Sequence, residues 1–269
     1  MFAGEGRGRR ALVTGASAGI GAAFARLLGA LGHDLVLTGR RAGRLHLLAD
    51  ELRGEHAVDV RVVAADLADP AAPAAILEGA GGTGAVDVLV NNAGYGINAD
   101  FADTDWRAQA DFIQVMVTAP MALTHACLGP MREKGFGRII QVASLAGLLP
   151  GGAGHTLYAA SKAFLIKSAQ SLALECEGTG VHVSALCPGF TRSEFHDVNG
   201  ARAEVERLPG FLWQSAERVA ELGYEAVQAG RPVCVTGGVN RSIAALARLL
   251  PEGLGHDIAR RRTRPRPKG

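Results

Sequence analysis

A chain of 269 residues with 48% hydrophobic content is long enough to bury a full core without a second domain, and its net charge of +2 excludes a global electrostatic pull towards nucleic acid or a membrane surface. The four cysteines, Cys127, Cys176, Cys187 and Cys234, include no C-x-x-C pair, so neither a zinc site nor a disulfide framework is indicated and a reduced, cytoplasmic setting is expected. Met1 is not followed by the pattern of an export signal, and the apolar stretch 11–32 carries Arg26 and several glycines, so no membrane span is expected.

In chain order, Ala11 to Val13 is predicted as a strand that runs into a glycine turn and then a helical pattern. Gly15, Gly19 and Gly21 form T-G-x-x-x-G-x-G. Backbone without side chains can approach a pyrophosphate closely, and the free N–H groups at the helix start face the anion. The spacing differs from the G-x-G-x-x-G fingerprint, so the strand-turn-helix context carries the reading.

A second predicted strand, Asp34 to Thr38, ends at Gly39-Arg40-Arg41. A site for NAD commonly places a carboxylate there to accept from the ribose hydroxyls, whereas a 2′-phosphate needs a cation. Gly39 leaves the acidic position empty and Arg40 offers a planar fork, which points to NADP(H). The competing reading is that both arginines are solvated at a helix entrance.

Further strands are predicted at Val60 to Ala64, Val86 to Val90, Arg138 to Val142, Val181 to Leu186 and Pro232 to Val235. Helical spacing marks Gly43 to Arg53 and Tyr158 to Glu175, and a short helix with a loose connection is expected between Ala68 and Gly84. This alternation argues for right-handed crossovers and a mostly parallel sheet with helices on both faces. The ligand then belongs at the carboxyl ends of the strands.

Tyr158 and Lys162, in YAASK, are four residues apart, so a helix sets phenol and ammonium one turn apart on one face. A phenol titrates near pH ~10, but a neighbouring cation favours its ionised form and lets it exchange a proton with a hydroxyl or carbonyl. Taken alone, the pair reads more readily as a surface tyrosine and a solvated lysine, and its partners in the sequence change that balance.

TGASAGIG, Asp66-Leu67, the NNAG of Asn91 to Gly94, Ser144, YAASK and the CPGFT of Cys187 to Thr191 resemble the short-chain dehydrogenase/reductase family, in the family's order over residues 9–240. The resemblance implies a single-domain, Rossmann-like, doubly wound α/β fold with a parallel sheet of about seven strands. It implies an NADP(H)-dependent enzyme interconverting a carbonyl and a secondary alcohol, with a small-molecule substrate and no nucleic-acid partner. Tyr158 is then the acid or base, Lys162 lowers its pKa and binds the nicotinamide ribose, and Ser144 donates to the carbonyl oxygen. Gly15, Ser17, Gly19, Ile20, Gly21, Arg40, Arg41, Asp66, Leu67, Asn92 and Thr191 join Tyr158 and Lys162 as cofactor-binding residues. Asp66 meets the adenine amino group, Thr191 the nicotinamide amide, and Asn91 braces the sheet.

Two departures stand out. Ser144 lies fourteen residues before Tyr158, one more than is usual, so the loop Gly151-Gly152-Ala153-Gly154 is expected to absorb an insertion. Where relatives read V-N-V-T-A, this chain reads Val115-Met116-Val117-Thr118-Ala119. That asparagine helps hold a water in a proton relay behind the lysine, and a thioether cannot donate a hydrogen bond. Either the relay is weakened, leaving an NADP(H)-binding module with little turnover, or Met116 is helix packing and Gln114, Thr118 or a backbone kink holds the water.

The expected organisation is a flexible N-terminus (1–8), one reductase domain (9–256) with a lid (192–215), and a basic, disordered tail (257–269). Phe195, Leu208, Phe211, Leu212 and Trp213 suggest an apolar substrate wall, though core packing explains them equally. His125 and His155 have no carboxylate at a useful spacing and are expected on surface or substrate loop. Relatives pair through helices corresponding to about 105–131 and 157–177, so a homodimer or homotetramer is expected.

Overall fold

The computed structural model describes residues 5–192, 209–251, 253–255, 257 and 260. In β1 (Arg10–Thr14) four successive residues are buried, as in a strand covered on both faces. Side chains alternate across it: Ala11 and Val13 enter one core while Leu12 enters the other. The chain continues through α1 (Gly19–Ala30), β2 (Asp34–Gly39), α2 (Ala42–His56), β3 (Val60–Ala64), α3 (Ala72–Ala80) and β4 (Val88–Asn91). It then forms α4 (Trp106–Ile113), α5 (Ala119–Glu133), β5 (Gly137–Val142), α6 (Thr156–Glu175), β6 (Val181–Cys187), β7 (Thr191–Arg192), β8 (Gln214–Ser215), α7 (Ala216–Gln228), β9 (Val233–Val235) and α8 (Gly238–Leu249).

Seven strands form one parallel sheet in the order β3-β2-β1-β4-β5-β6-β9. Helices α1, α2 and α7 cover one face and α3, α5 and α6 the other, each over its own apolar cluster. The architecture is the doubly wound α/β fold expected from the alternating pattern. Strand order reverses between β1 and β4, which opens a crevice at their carboxyl ends where ligands of such sheets bind. Each fully buried Leu, Val or Phe in these layers contributes about 1.5–3 kcal/mol of transfer free energy.

Between α4 and α5 the helix widens into a π turn over Gln114–Thr118, where the Ala119 N–H donates to the Gln114 carbonyl, five residues back. The run Trp106–Glu133 is long and apolar enough to cross a bilayer by length and composition. Its inner face, however, is locked to the sheet. Met116, Ala119, Leu123, Cys127 and Met131 are buried, and Asn91 Nδ2 donates to the Pro120 carbonyl (3.1 Å) and to Thr124 Oγ1 (3.0 Å). Asn91 thus braces the sheet against α5.

Of the segment 1–8 expected to be flexible, residues 5–8 are described: Glu5 and Gly6 contact the body, and Arg7 and Gly8 are exposed. Gly6 N–H donates to the Leu31 carbonyl (3.0 Å), and Gln228 Nε2 donates to Glu5 Oε1 (2.5 Å). A carboxylate with a donor waiting on α7 anchors this turn to the body. Residues 193–208 of the expected lid and 258, 259 and 261–269 of the basic tail lie outside the described residues, Phe195 and Leu208 among them. Trp213 packs on Phe190, with ring centroids 5.7 Å apart.

Candidate active site

The glycine turn leaves β1 at Gly15, whose φ of +65° falls in the left-handed region. A Cβ there would stand 2.8 Å from Ala93 Cα, so the turn closes directly on the end of β4. Thr14 ties the two strand ends: its Oγ1 accepts from the N–H groups of Asn92 (2.9 Å) and Ala93 (3.0 Å) and donates to the Val90 carbonyl (3.3 Å). Asn92 reinforces the tie, donating from Nδ2 to the carbonyls of Thr14 (2.9 Å) and Gly15 (3.2 Å). Its amide nitrogen is therefore committed to the protein, a bracing role that the sequence assigned to Asn91 alone.

Gly19, Ile20 and Gly21 open α1, which has no side-chain cap at Ala18 and no acidic residue in its first turn. Uncapped N–H groups at that end suit an anion. At the carboxyl end of β2, Arg41 donates from Nε (3.1 Å) and a terminal nitrogen (2.9 Å) to Ser17 Oγ, joining the strand end to the glycine turn. Arg40 beside it is exposed. Asp66 is exposed past β3, its Oδ1 accepting from Ala68 N–H (3.0 Å), and Leu67 is buried. A close-set turn without a side chain, an uncapped helix start and two arginines at one corner fit a phosphorylated dinucleotide.

The second half of the site comes from β5 and α6. Ser144 follows β5 and caps a short 3₁₀ turn (Leu145–Leu148), its Oγ accepting from Ala146 N–H at 3.1 Å. Tyr158 lies near enough to Ser144 for the serine hydroxyl to influence its ionisation. Lys162 is buried one turn further along α6 and donates from Nζ to the Val142 carbonyl at 2.7 Å. Its Nζ lies 5.8 Å from the Tyr158 ring centroid.

Burial governs both ionisations. It pushes the Lys162 ammonium down from its usual 10.5 to about 8, with the nearby Cys187 opposing the shift. It also pushes the Tyr158 phenol above its ordinary 10.0, with the Ser144 hydrogen bond opposing. The net direction for the phenol is therefore upward, desolvation exceeding the opposing effect of Ser144.

A cleft beside Tyr158 is lined by Ile97, Gln109, Phe112, His155 and Leu157. His155, read from sequence as a loop or surface group, stands just before α6 on the wall of this cleft, while His125 is exposed on α5. Thr191 is buried and donates to the Gly189 carbonyl at 3.2 Å. Met116 is buried in the π turn, and a Cβ on Gly94 would stand 2.8 Å from its sulfur. The thioether therefore packs against the last residue of NNAG.

The family described as short chain dehydrogenase matches residues 9–203. The chain belongs to the short-chain dehydrogenase family. Among similar proteins, sulfoacetaldehyde reductase of Chromohalobacter salexigens is 40% identical over 221 residues, covering 78% of this chain and 84% of the relative. The solved short-chain dehydrogenase of Sphingobium yanoikuyae in complex with NADPH superposes with a TM-score of 0.79 at 30% identity, covering 96% of this chain and 99% of that one. The L-sorbose reductase of Gluconobacter frateurii, complexed with NADPH and L-sorbose, gives a TM-score of 0.76 at 27% identity, covering 88% and 98%. As a short-chain dehydrogenase the chain is an oxidoreductase. Thr14, whose hydroxyl organises the crevice, went unread in the sequence although it opens the glycine motif.

Proposed function

We propose that this short-chain dehydrogenase interconverts a carbonyl and a secondary alcohol using NADP(H), with Tyr158 as general acid and base. The observation that carries the reading is the convergence of Ser144, which caps the turn after β5, with Tyr158 and with Lys162, buried and held on the Val142 carbonyl at 2.7 Å with its Nζ 5.8 Å from the Tyr158 ring centroid. Bound nicotinamide supplies or accepts the hydride. In reduction, Tyr158 gives its proton to the carbonyl oxygen, and burial keeps the phenol in the protonated, donating form. Ser144 donates to the same oxygen and stabilises the charge developing there. Lys162, anchored on the Val142 carbonyl one turn along α6 from Tyr158, would bind the nicotinamide ribose and favour the ionised phenol between turnovers.

Arg40 and Arg41 support the choice of NADP(H), since together with Ser17 they build a cationic corner where a 2′-phosphate belongs. The NADPH in the two solved relatives agrees with it. Ile97, Phe112 and Leu157 in the cleft support a substrate with an apolar part. The free cysteines support a reducing, cytoplasmic setting. An apolar groove along α4 and α6, lined by Phe112, Ile113, Val117, Leu157, Ala160 and Phe164, supports a homodimer or homotetramer built on those helices.

Oxidation of NADPH against a panel of ketones, beside a calorimetric titration of NADPH, tests the proposal. Turnover with tight binding supports it. Binding without turnover of any ketone favours the second reading, a cofactor-binding module whose relay is interrupted at Met116. That reading draws on the thioether buried against Gly94, since a thioether sulfur cannot donate a hydrogen bond.

A further inference from the structure

The turn after β6, Pro188 to Thr191, borders the catalytic residues directly: Leu145 N–H, next to Ser144, donates to the Pro188 carbonyl at 2.9 Å. Its shape is set from behind by α8, a helix beyond the span matched by the family. Asn240, in the first turn of α8, is buried, and its Nδ2 donates to the Thr236 carbonyl at 2.8 Å. That bond turns the amide onto Gly189, where an added Cβ would stand 2.7 Å from Asn240 Oδ1 and 2.8 Å from its Cγ. Gly189 and Asn240 are therefore a matched pair, one lacking a side chain where the other fills the space.

The surrounding bonds close the unit. Thr236 N–H donates to the Cys187 carbonyl (3.3 Å), Gln214 N–H to the Phe190 carbonyl (3.0 Å), and Thr236 Oγ1 to Gln214 Oε1. The same α8 packs on the 3₁₀ turn that Ser144 caps. One helix thus supports both the Ser144 turn and the Thr191 turn.

We propose that Asn240 is a positioning residue for the nicotinamide end of the cofactor, acting through Gly189 on the turn that presents Thr191. The inference rests on the NADP(H) reading above and adds to it a residue that touches neither cofactor nor substrate. Displacing Asn240 lets the turn relax and misplaces Thr191. The adenine and 2′-phosphate end, held by the glycine turn and Arg40, is untouched.

Calorimetric titration with two probes separates these ends: NADPH, and adenosine 2′,5′-bisphosphate, which lacks the nicotinamide. Asn240→Ala should weaken NADPH roughly tenfold, the scale of one lost buried hydrogen bond, and leave the bisphosphate within about twofold. Gly189→Ala should also weaken NADPH selectively. Adding Asn240→Ala to it should restore affinity to that of Asn240→Ala alone, because the vacated amide makes room for the methyl. Equal weakening of both probes, no weakening in a folded variant, or strictly additive losses would overturn the proposal. Should Asn240→Ala not fold, Asn240→Ser carries the same comparison, and failure of both to fold would show a structural role only. An unmodified protein that binds neither probe would instead overturn the NADP(H) reading, which the variants do not address.

Discussion

Gly147 lies against the backbone of Lys162: a Cβ on this glycine would stand 2.6 Å from the Lys162 carbonyl carbon and 2.7 Å from the next amide nitrogen. The turn that begins at Ser144 is therefore seated on α6 a little over one turn from Tyr158, and the distance between the Ser144 and Tyr158 hydroxyls depends on that seat. Gly147→Ala should force the turn outward and lower kcat by roughly tenfold to a hundredfold, with a stability loss of about 1–3 kcal/mol from overpacking. Steady-state kinetics and thermal melts read the two effects. Unchanged kcat would show that Ser144 is placed by other contacts.

Tyr158→Phe removes only the hydroxyl and should abolish turnover with NADPH affinity nearly intact. Residual turnover on a well-reduced ketone would point to another acid.

Lys162 offers a pH-dependent test. Its folded pKa of about 8 lies below the unfolded 10.5, so the buried ammonium costs stability in full below pH 8 and the cost is relieved as pH rises towards 10.5. At pH ~7, Lys162→Met should remove a penalty of up to about 3 kcal/mol, offset by about 1 kcal/mol for the lost bond to Val142. The stability advantage of the variant should shrink between pH about 8 and 10.5, and turnover should be lost throughout. A variant less stable than the unmodified protein at pH ~7 would mean the ammonium is better solvated than its burial implies.

The proposed cofactor choice rests on the corner where Arg41 donates to Ser17. NADP(H) should bind more tightly than NAD(H), and Arg40→Ala should remove most of that preference, since a charge-assisted phosphate contact is worth about 1.5–3 kcal/mol or roughly ten- to a hundredfold. Equal affinities for both cofactors in the unmodified protein would refute this assignment.

Met116→Asn places an amide inside the π turn. If a missing relay limits catalysis, kcat should rise towards the lower part of the 10²- to 10⁴-fold range typical of acid–base assistance, approximately. The buried amide, pressed on Gly94, should also cost about 1–3 kcal/mol unless water reaches it. A folded variant with unchanged kcat would favour the wide backbone turn itself as the means of holding water.

Phe164 is 45% exposed on the apolar groove between α4 and α6. Phe164→Glu should shift the protein towards monomer in light scattering coupled to gel filtration. An unaltered mass would place any interface elsewhere.

The local grammar of the chain is legible in its amino-acid sequence. Apolar runs located every strand of the main sheet to within two residues, because strands buried on both faces leave a continuous apolar signature. Val60 to Ala64 coincides with β3, while the run from Val86 joins the strand only at Val88, although the Asp87 N–H already donates to the Arg10 carbonyl (2.8 Å) and its carbonyl accepts from the Arg138 N–H (3.0 Å). The four-residue spacing of Tyr158 and Lys162 likewise needs only helix geometry.

Other features depended on groups far apart in sequence. Whether the phenol titrates above or below its ordinary value is decided by how much water the packed elements exclude, and no spacing encodes that. The commitment of Asn92 to Thr14 and Gly15, the lodging of Met116 against Gly94 inside a π turn, and the fit of Asn240 to Gly189 each join segments that meet only when the sheet closes. Sequence by itself determined the periodicities, the motifs and hence the fold. Tertiary structure alone decided contacts, burial and the free energies of ionisation, because these depend on distance and dielectric in space and not on separation along the chain.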